Sequence, residues 1–278
     1  MQKIELYKRR TWSQSLMTGI DFYQQHIRII YGNVFKIGLP TALLCLLIVS
    51  IGRNGSLGNS FTGLFSPTLP QLVYSLVMLA ATSLVFAILS YLIQLYENGQ
   101  ITSPRKFQLM ENLLPYTGKI FAIHLVASLF SFVGVYALIK LIAIENLYAV
   151  FFLIGIIIFL IPLFLLTSYP VCFEESSVFD SLSKGIKMGF KTWGATFMTG
   201  LIVFIIAMML YFFFALISMF FSLFGGGVTS PFYLFFLVLG IFLILPLPVI
   251  CFAFHYFSIR EANEGVSLKA KIDDFENL

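Results

Sequence analysis

Four side chains of the type that binds soft metals, His124, His255, Cys172 and Cys251, fall toward the same ends of the apolar runs that carry them. Cys251 and His255 stand one helical turn apart, the spacing at which two ligands share a helix face. No carboxylate accompanies them to orient a ligating imidazole, as metal sites require. His26 is the third and last histidine, so an iron centre built on four histidines is excluded. Three cysteines with no CxxC pair set neither a disulfide framework nor a zinc site, and Cys45, Cys172 and Cys251 read as buried free thiols. No Walker loop, GxSxG, HExxH or dinucleotide fingerprint occurs. The expectation is a protein with no metal, no cofactor and no enzymatic activity.

A second chemistry is open to the cationic residues. Lys184, Lys187 and Lys191 recur at i, i+3 and i+7, opposite Phe179, Leu182 and Ile186. Such a helix is suited to the headgroup layer, with its apolar face down and its lysines toward anionic lipid. Arg105 with Lys106, and Arg28, occupy comparable places in two earlier amphipathic stretches. Trp12 and Trp193, the only tryptophans, stand at a helix start and a span entrance, where interfacial aromatics are expected. These eight residues are the candidate lipid contacts. The competing reading is that the amphipathic stretches pack on a bundle and merely join its helices.

The elements that must carry these residues follow from composition. The 278 residues are 59% hydrophobic and 11% charged, with a mean hydropathy of +0.94; an ordinary soluble domain is about 25% charged. That excludes a soluble enzyme or a nucleic-acid-binding domain and predicts an all-α polytopic membrane protein. The apolar runs give six spans, at about 35–51, 71–96, 119–142, 147–171, 195–224 and 232–257. Residues 1–34 form an amphipathic segment and 258–278 a charged tail. No short apolar core with a cleavage site marks a signal peptide. Each outward span is preceded by an amphipathic stretch, which predicts a threefold pseudo-repeat. The first stretch carries Leu16, Ile20, Tyr23, Ile27 and Ile30. The second carries Phe107, Met110 and Leu114 behind Ser103 and Pro104. The third is capped by the Ser177–Asp180 pair.

Fifteen of the 17 lysines and arginines fall on the side that holds both termini, leaving Arg53 and Lys140 on the other. By the positive-inside rule both termini are cytoplasmic. All 13 acids lie outside the apolar cores, which removes the embedded carboxylate on which proton-coupled transporters rely. Pro162, Pro170, Pro246 and Pro248 would bend the fourth and sixth spans, or open backbone carbonyls onto a cavity between them.

Two patches of residues resemble a known group. The stretch Cys172-Phe-Glu-Glu-Ser-Ser-Val-Phe-Asp-Ser-Leu-Ser-Lys-Gly185 is similar to a signature of bacterial six-span membrane families grouped with the membrane domain of glycerophosphodiester phosphodiesterases. In the tail, Arg260, Glu264 and Gly265 match that group's Arg–x–x–x–Glu–Gly segment. The resemblance implies a bacterial inner-membrane bundle without the catalytic barrel fused in some relatives. The function expected from all of this is a non-enzymatic envelope protein contacting anionic lipid of the cytoplasmic leaflet or a protein partner. The alternative is a transporter or permease for a small apolar or amphipathic molecule, with a lipid-modifying enzyme third.

Overall fold

A computed structural model of the chain describes residues 4–52, 69–99, 108–143, 147–225, 231–268 and 272. All regular structure among them is helical: α1 (Trp12–Gly52), α2 (Leu69–Glu97), α3 (Gln108–Ala143), α4 (Leu147–Leu165), α5 (Tyr169–Glu174), α6 (Val178–Lys191), α7 (Trp193–Gly225), α8 (Pro231–Ile244) and α9 (Pro246–Glu264). Six helical stretches are long and apolar enough to cross a membrane: Trp12–Ile48, Leu72–Glu97, Tyr116–Ile142, Leu147–Glu174, Trp193–Phe220 and Phe235–Glu264.

No break in the helix marks the expected change from an amphipathic segment ending at residue 34 to a first span starting at 35. α1 runs unbroken through both. At 1.5 Å per residue it is about 60 Å long, twice the hydrocarbon thickness of a bilayer. The reason is a single buried stripe that crosses the expected joint: Leu16, Phe22, Ile30, Val34, Ala42 and Cys45 all face the interior, where α1 meets α8 and α9. Of the stripe expected from periodicity, Ile27 is exposed instead. Likewise α3 starts at Gln108 and continues to Ala143, so its amphipathic start and its span are one helix. Arg105, Lys106, Ser103, Pro104 and Phe107 lie outside the described residues. Among the described residues, only the third stretch forms a helix of its own, α6.

The last span is divided at Leu245, where Pro246 opens α9. Proline breaks the hydrogen-bond ladder, and tyrosine hydroxyls from other helices meet carbonyls beside the break. Tyr31 donates to the Leu243 carbonyl at 2.7 Å and Tyr169 to that of Val249 at 2.9 Å. α9 is the axis of the molecule. Every residue from Val249 to Ile259 is buried, and α1, α2, α7 and α8 pack around it. By contrast α4 and α7 turn large apolar side chains outward, among them Tyr148, Phe151, Phe152, Met209 and Phe212. Contiguous exposed apolar surface of that extent marks a lipid-facing belt.

Candidate functional site

Charged groups gather at one end of the bundle, where the α5–α6 corner meets the end of α9. Glu174 ends α5, Lys184 lies midway along α6, and Arg260 and Glu264 lie in the last turns of α9. The Lys184 ammonium sits 2.5 Å from a Glu174 oxygen and 2.7 Å from one of Glu264. The Arg260 Nε lies 3.3 Å from Glu174 and 2.9 Å from Glu264. The Tyr256 hydroxyl donates to Glu174, and the Arg260 guanidinium donates to the Tyr7 hydroxyl and rests over its ring. Two carboxylates thus face two cations, so the cluster is neutral. It holds the N-terminal segment, the α5–α6 corner and the end of α9 together. Gly265 stops α9 in a left-handed conformation at φ 59°, the usual role of glycine just beyond a helix.

The environment of these groups follows from their partners. Burial alone would lower the Lys184 pKa, but the hydrogen bonds and charges of Glu174 and Glu264 outweigh it and hold the ammonium above its ordinary value. Burial, with Glu97 adding to it, pushes the Tyr7 phenol up to about 12. Both groups therefore keep their protons through neutral pH. For Lys184 the folded value exceeds the unfolded one, so its stabilisation is complete below the ordinary lysine range of about 10.4. It is lost only as pH rises through the folded value. Limited trypsin digestion across pH is expected to leave the α5–α6 corner protected until that range is passed. Release near pH 7 would contradict this account.

The structure places the six described lipid candidates in different settings. Lys184 faces the carboxylates rather than open solvent. Lys191 donates to Asn263 Oδ1 at 2.7 Å, and Lys187 is exposed. Arg28 is exposed on the flank of α1, about 24 Å along the helix from Trp12. Trp12 opens α1 and lines a small cavity with His255 and Asn263. The Trp193 indole donates to the Phe159 carbonyl at 2.9 Å and stacks on the Phe159 and Phe197 rings.

α6 itself has three faces, one more than periodicity suggested. Ser177 caps its start by accepting from the Asp180 amide. Ser181, Gly185, Met188 and Gly189 are buried against the end of α4 and the turn after it, with Ser181 Oγ donating to the Thr167 carbonyl and accepting from the Val171 amide. A second face carries Phe179 and Phe190, which are 83% and 65% exposed. The third carries the lysines. The signal for the buried face was in the sequence as Ser181-x-x-x-Gly185-x-x-x-Gly189, a small-residue repeat that lets helices approach closely.

The metal-type residues do not converge. His124 contacts the Ser83 hydroxyl at 2.9 Å, His255 that of Thr196 at 3.1 Å, and His26 the Phe22 carbonyl. Among the described residues no group of three or more His, Cys, Asp or Glu side chains is placed to hold an ion. Cys45, Cys172 and Cys251 are free and buried. No family model, no curated protein and no solved structure matches the chain.

Proposed function

We propose that the chain is a non-enzymatic scaffold of a bacterial cytoplasmic membrane, with both termini inside, whose charged end engages anionic lipid. The observation that carries this reading is the layout of α6. One face docks on the bundle, and an exposed aromatic edge lies beside a basic edge, the arrangement of a helix seated in the headgroup layer. The positive-inside count puts that end toward the cytoplasm. The interior further along the helices favours a scaffold over a permease. Its buried residues include Val85, Leu89, Val238 and Phe242, and the hydroxyls of Thr41, Ser83 and Ser218 are turned onto carbonyls of their own helices. The similarity to the phosphodiesterase-associated membrane group agrees with such an accessory role.

The test uses outward-facing residues, so that folding is spared. In detergent, phosphatidylglycerol is expected to raise the melting temperature of the wild-type protein more than phosphatidylcholine does. A Phe179→Ser/Phe190→Ser/Lys187→Glu variant is expected to lose that difference while keeping its melting temperature in detergent alone. Each lysine at an anionic surface contributes about 1 kcal/mol, so the difference should shrink further with salt. Equal responses to the two lipids in the wild type would overturn the reading, as would solute flux through reconstituted vesicles.

A further inference from the structure

Beside α6 lies a cavity of about 150 Å³, lined by Arg9, Trp12, Thr192, His255, Ser258 and Asn263 among others. That is well above the roughly 10–15 Å³ that one water needs. No carboxylate is among its lining residues. It opens where α1 and α7 begin, and helix N-termini favour negative charge. The opposing carbonyls at the end of α6 are partly answered by the Thr192 hydroxyl, which donates to Met188 O at 2.8 Å.

The hydrogen-bond inventory assigns the donors. Thr192 has spent its one hydroxyl proton on Met188, so in its 3.1 Å contact with Thr196 the latter donates. Thr196 has then spent its own proton, so His255 Nε2 must donate to Thr196 Oγ1. His255 Nδ1 is left as a bare lone pair. It is buried and has no partner among the described residues, in a residue only 2% exposed. A buried polar atom of this kind costs free energy until something donates to it. On the cavity's outer edge Arg9 is exposed. Lys191 occupies the Asn263 oxygen, which directs that amide's donor group elsewhere. Arg10 is already used within the N-terminal segment, where its guanidinium donates to the carbonyls of Leu6 and Lys8.

A ligand for this site needs an anionic group for Arg9 and Asn263 and a neutral donor for His255. An ammonium would be repelled by Arg9, whereas a hydroxyl would not. We propose that the cavity seats a phosphodiester bearing a hydroxyl, its phosphate on Arg9 and Asn263 and its hydroxyl donating to His255 Nδ1. This rests on the reading that the charged end lies in the headgroup layer, and it names the headgroup chemistry read there.

Native mass spectrometry of the full chain in detergent tests it with three lipids: phosphatidylglycerol, phosphatidylmethanol (equal charge, no headgroup hydroxyl) and phosphatidylcholine. One phosphatidylglycerol per chain is expected to bind about five- to tenfold more tightly than phosphatidylmethanol, the effect of one hydrogen bond. Arg9→Gln and Asn263→Ala, both at exposed positions, are expected to weaken both anionic lipids several-fold without lowering the melting temperature. The deacylated headgroup, glycerophosphoglycerol, is expected to compete, which places recognition in the headgroup rather than the acyl chains. Equal affinity for the two anionic lipids, or unchanged binding by Arg9→Gln, would overturn the proposal. Either result with loss of lipid response in the α6 variant intact would leave the scaffold reading standing. Failure of both variants to alter any lipid response would remove both.

Discussion

Gly185→Leu is expected to undock α6 and to lower the melting temperature more than any other single change on this helix. A Cβ at Gly185 would lie 2.4 Å from the Thr167 Cα and 2.8 Å from its nitrogen, and one at Gly189 would lie 2.7 Å from the Pro162 carbonyl oxygen. These neighbours are backbone, so no rotamer change relieves the overlap. Inserting even a methyl group into a packed contact typically costs about 1–3 kcal/mol, and a leucine here must displace the whole helix. Displacement would also break the two hydrogen bonds of Ser181. Gly189→Ala is expected to fall in the 1–3 kcal/mol range, and Phe179→Ser to leave the melting temperature in detergent unchanged. A Gly185→Leu protein as stable as the wild type would show that α6 does not dock through its small residues.

Glu174→Gln carries the second large effect. Glu174 accepts from or pairs with Lys184, Arg260 and Tyr256 at once, with its side chain 12% exposed. Removing one partner of a buried pair typically costs about 3–5 kcal/mol because the other charge stays buried and unpaired. Here Lys184 is 33% exposed and Glu264 still faces both cations, so about 2 kcal/mol is the expected loss after solvent screening. Tryptic cleavage after Lys184 and Lys187 should quicken in parallel. The Glu5–Lys8 pair supplies the control. Its side chains are 69% and 61% exposed, and Glu5→Gln is expected to change stability by less than about 0.5 kcal/mol. Similar losses in the two variants would mean that the cluster does not act as a tether.

Which charges form this cluster was only half visible beforehand. Glu174 and Lys184 lie in the stretch 172–185 and Arg260 and Glu264 in the tail, yet nothing in the chain said that these two segments meet. They are joined because α5 and α9 end at the same side of the bundle, a relation between residues some 80 positions apart. Lys184 shows the consequence. On the helical wheel it groups with Lys187 and Lys191, but the wheel is blind to carboxylates arriving from other helices. His255 shows it again. Its spacing from Cys251 suggested metal chemistry, while the packed structure gives it a threonine on one nitrogen and a cavity alongside.

By itself the sequence determined the class of molecule, because 30 charges in 278 residues cannot coat a water-soluble surface. Local rules also determined the start of α6 at Ser177, since a cap depends on neighbours in the chain. Tertiary structure alone decided which apolar helix is core and which is rim. In lipid an apolar side chain gains little by exchanging acyl chains for protein, so hydropathy does not distinguish the span that holds α4, with Phe151 and Phe152 exposed, from the span that holds α9, buried from Val249 to Ile259. The distinguishing residues are the few polar ones. His255, Tyr256 and Ser258 must find partners away from hydrocarbon, and they draw α9 to the centre, where Thr196, Glu174 and the Arg10 backbone supply them.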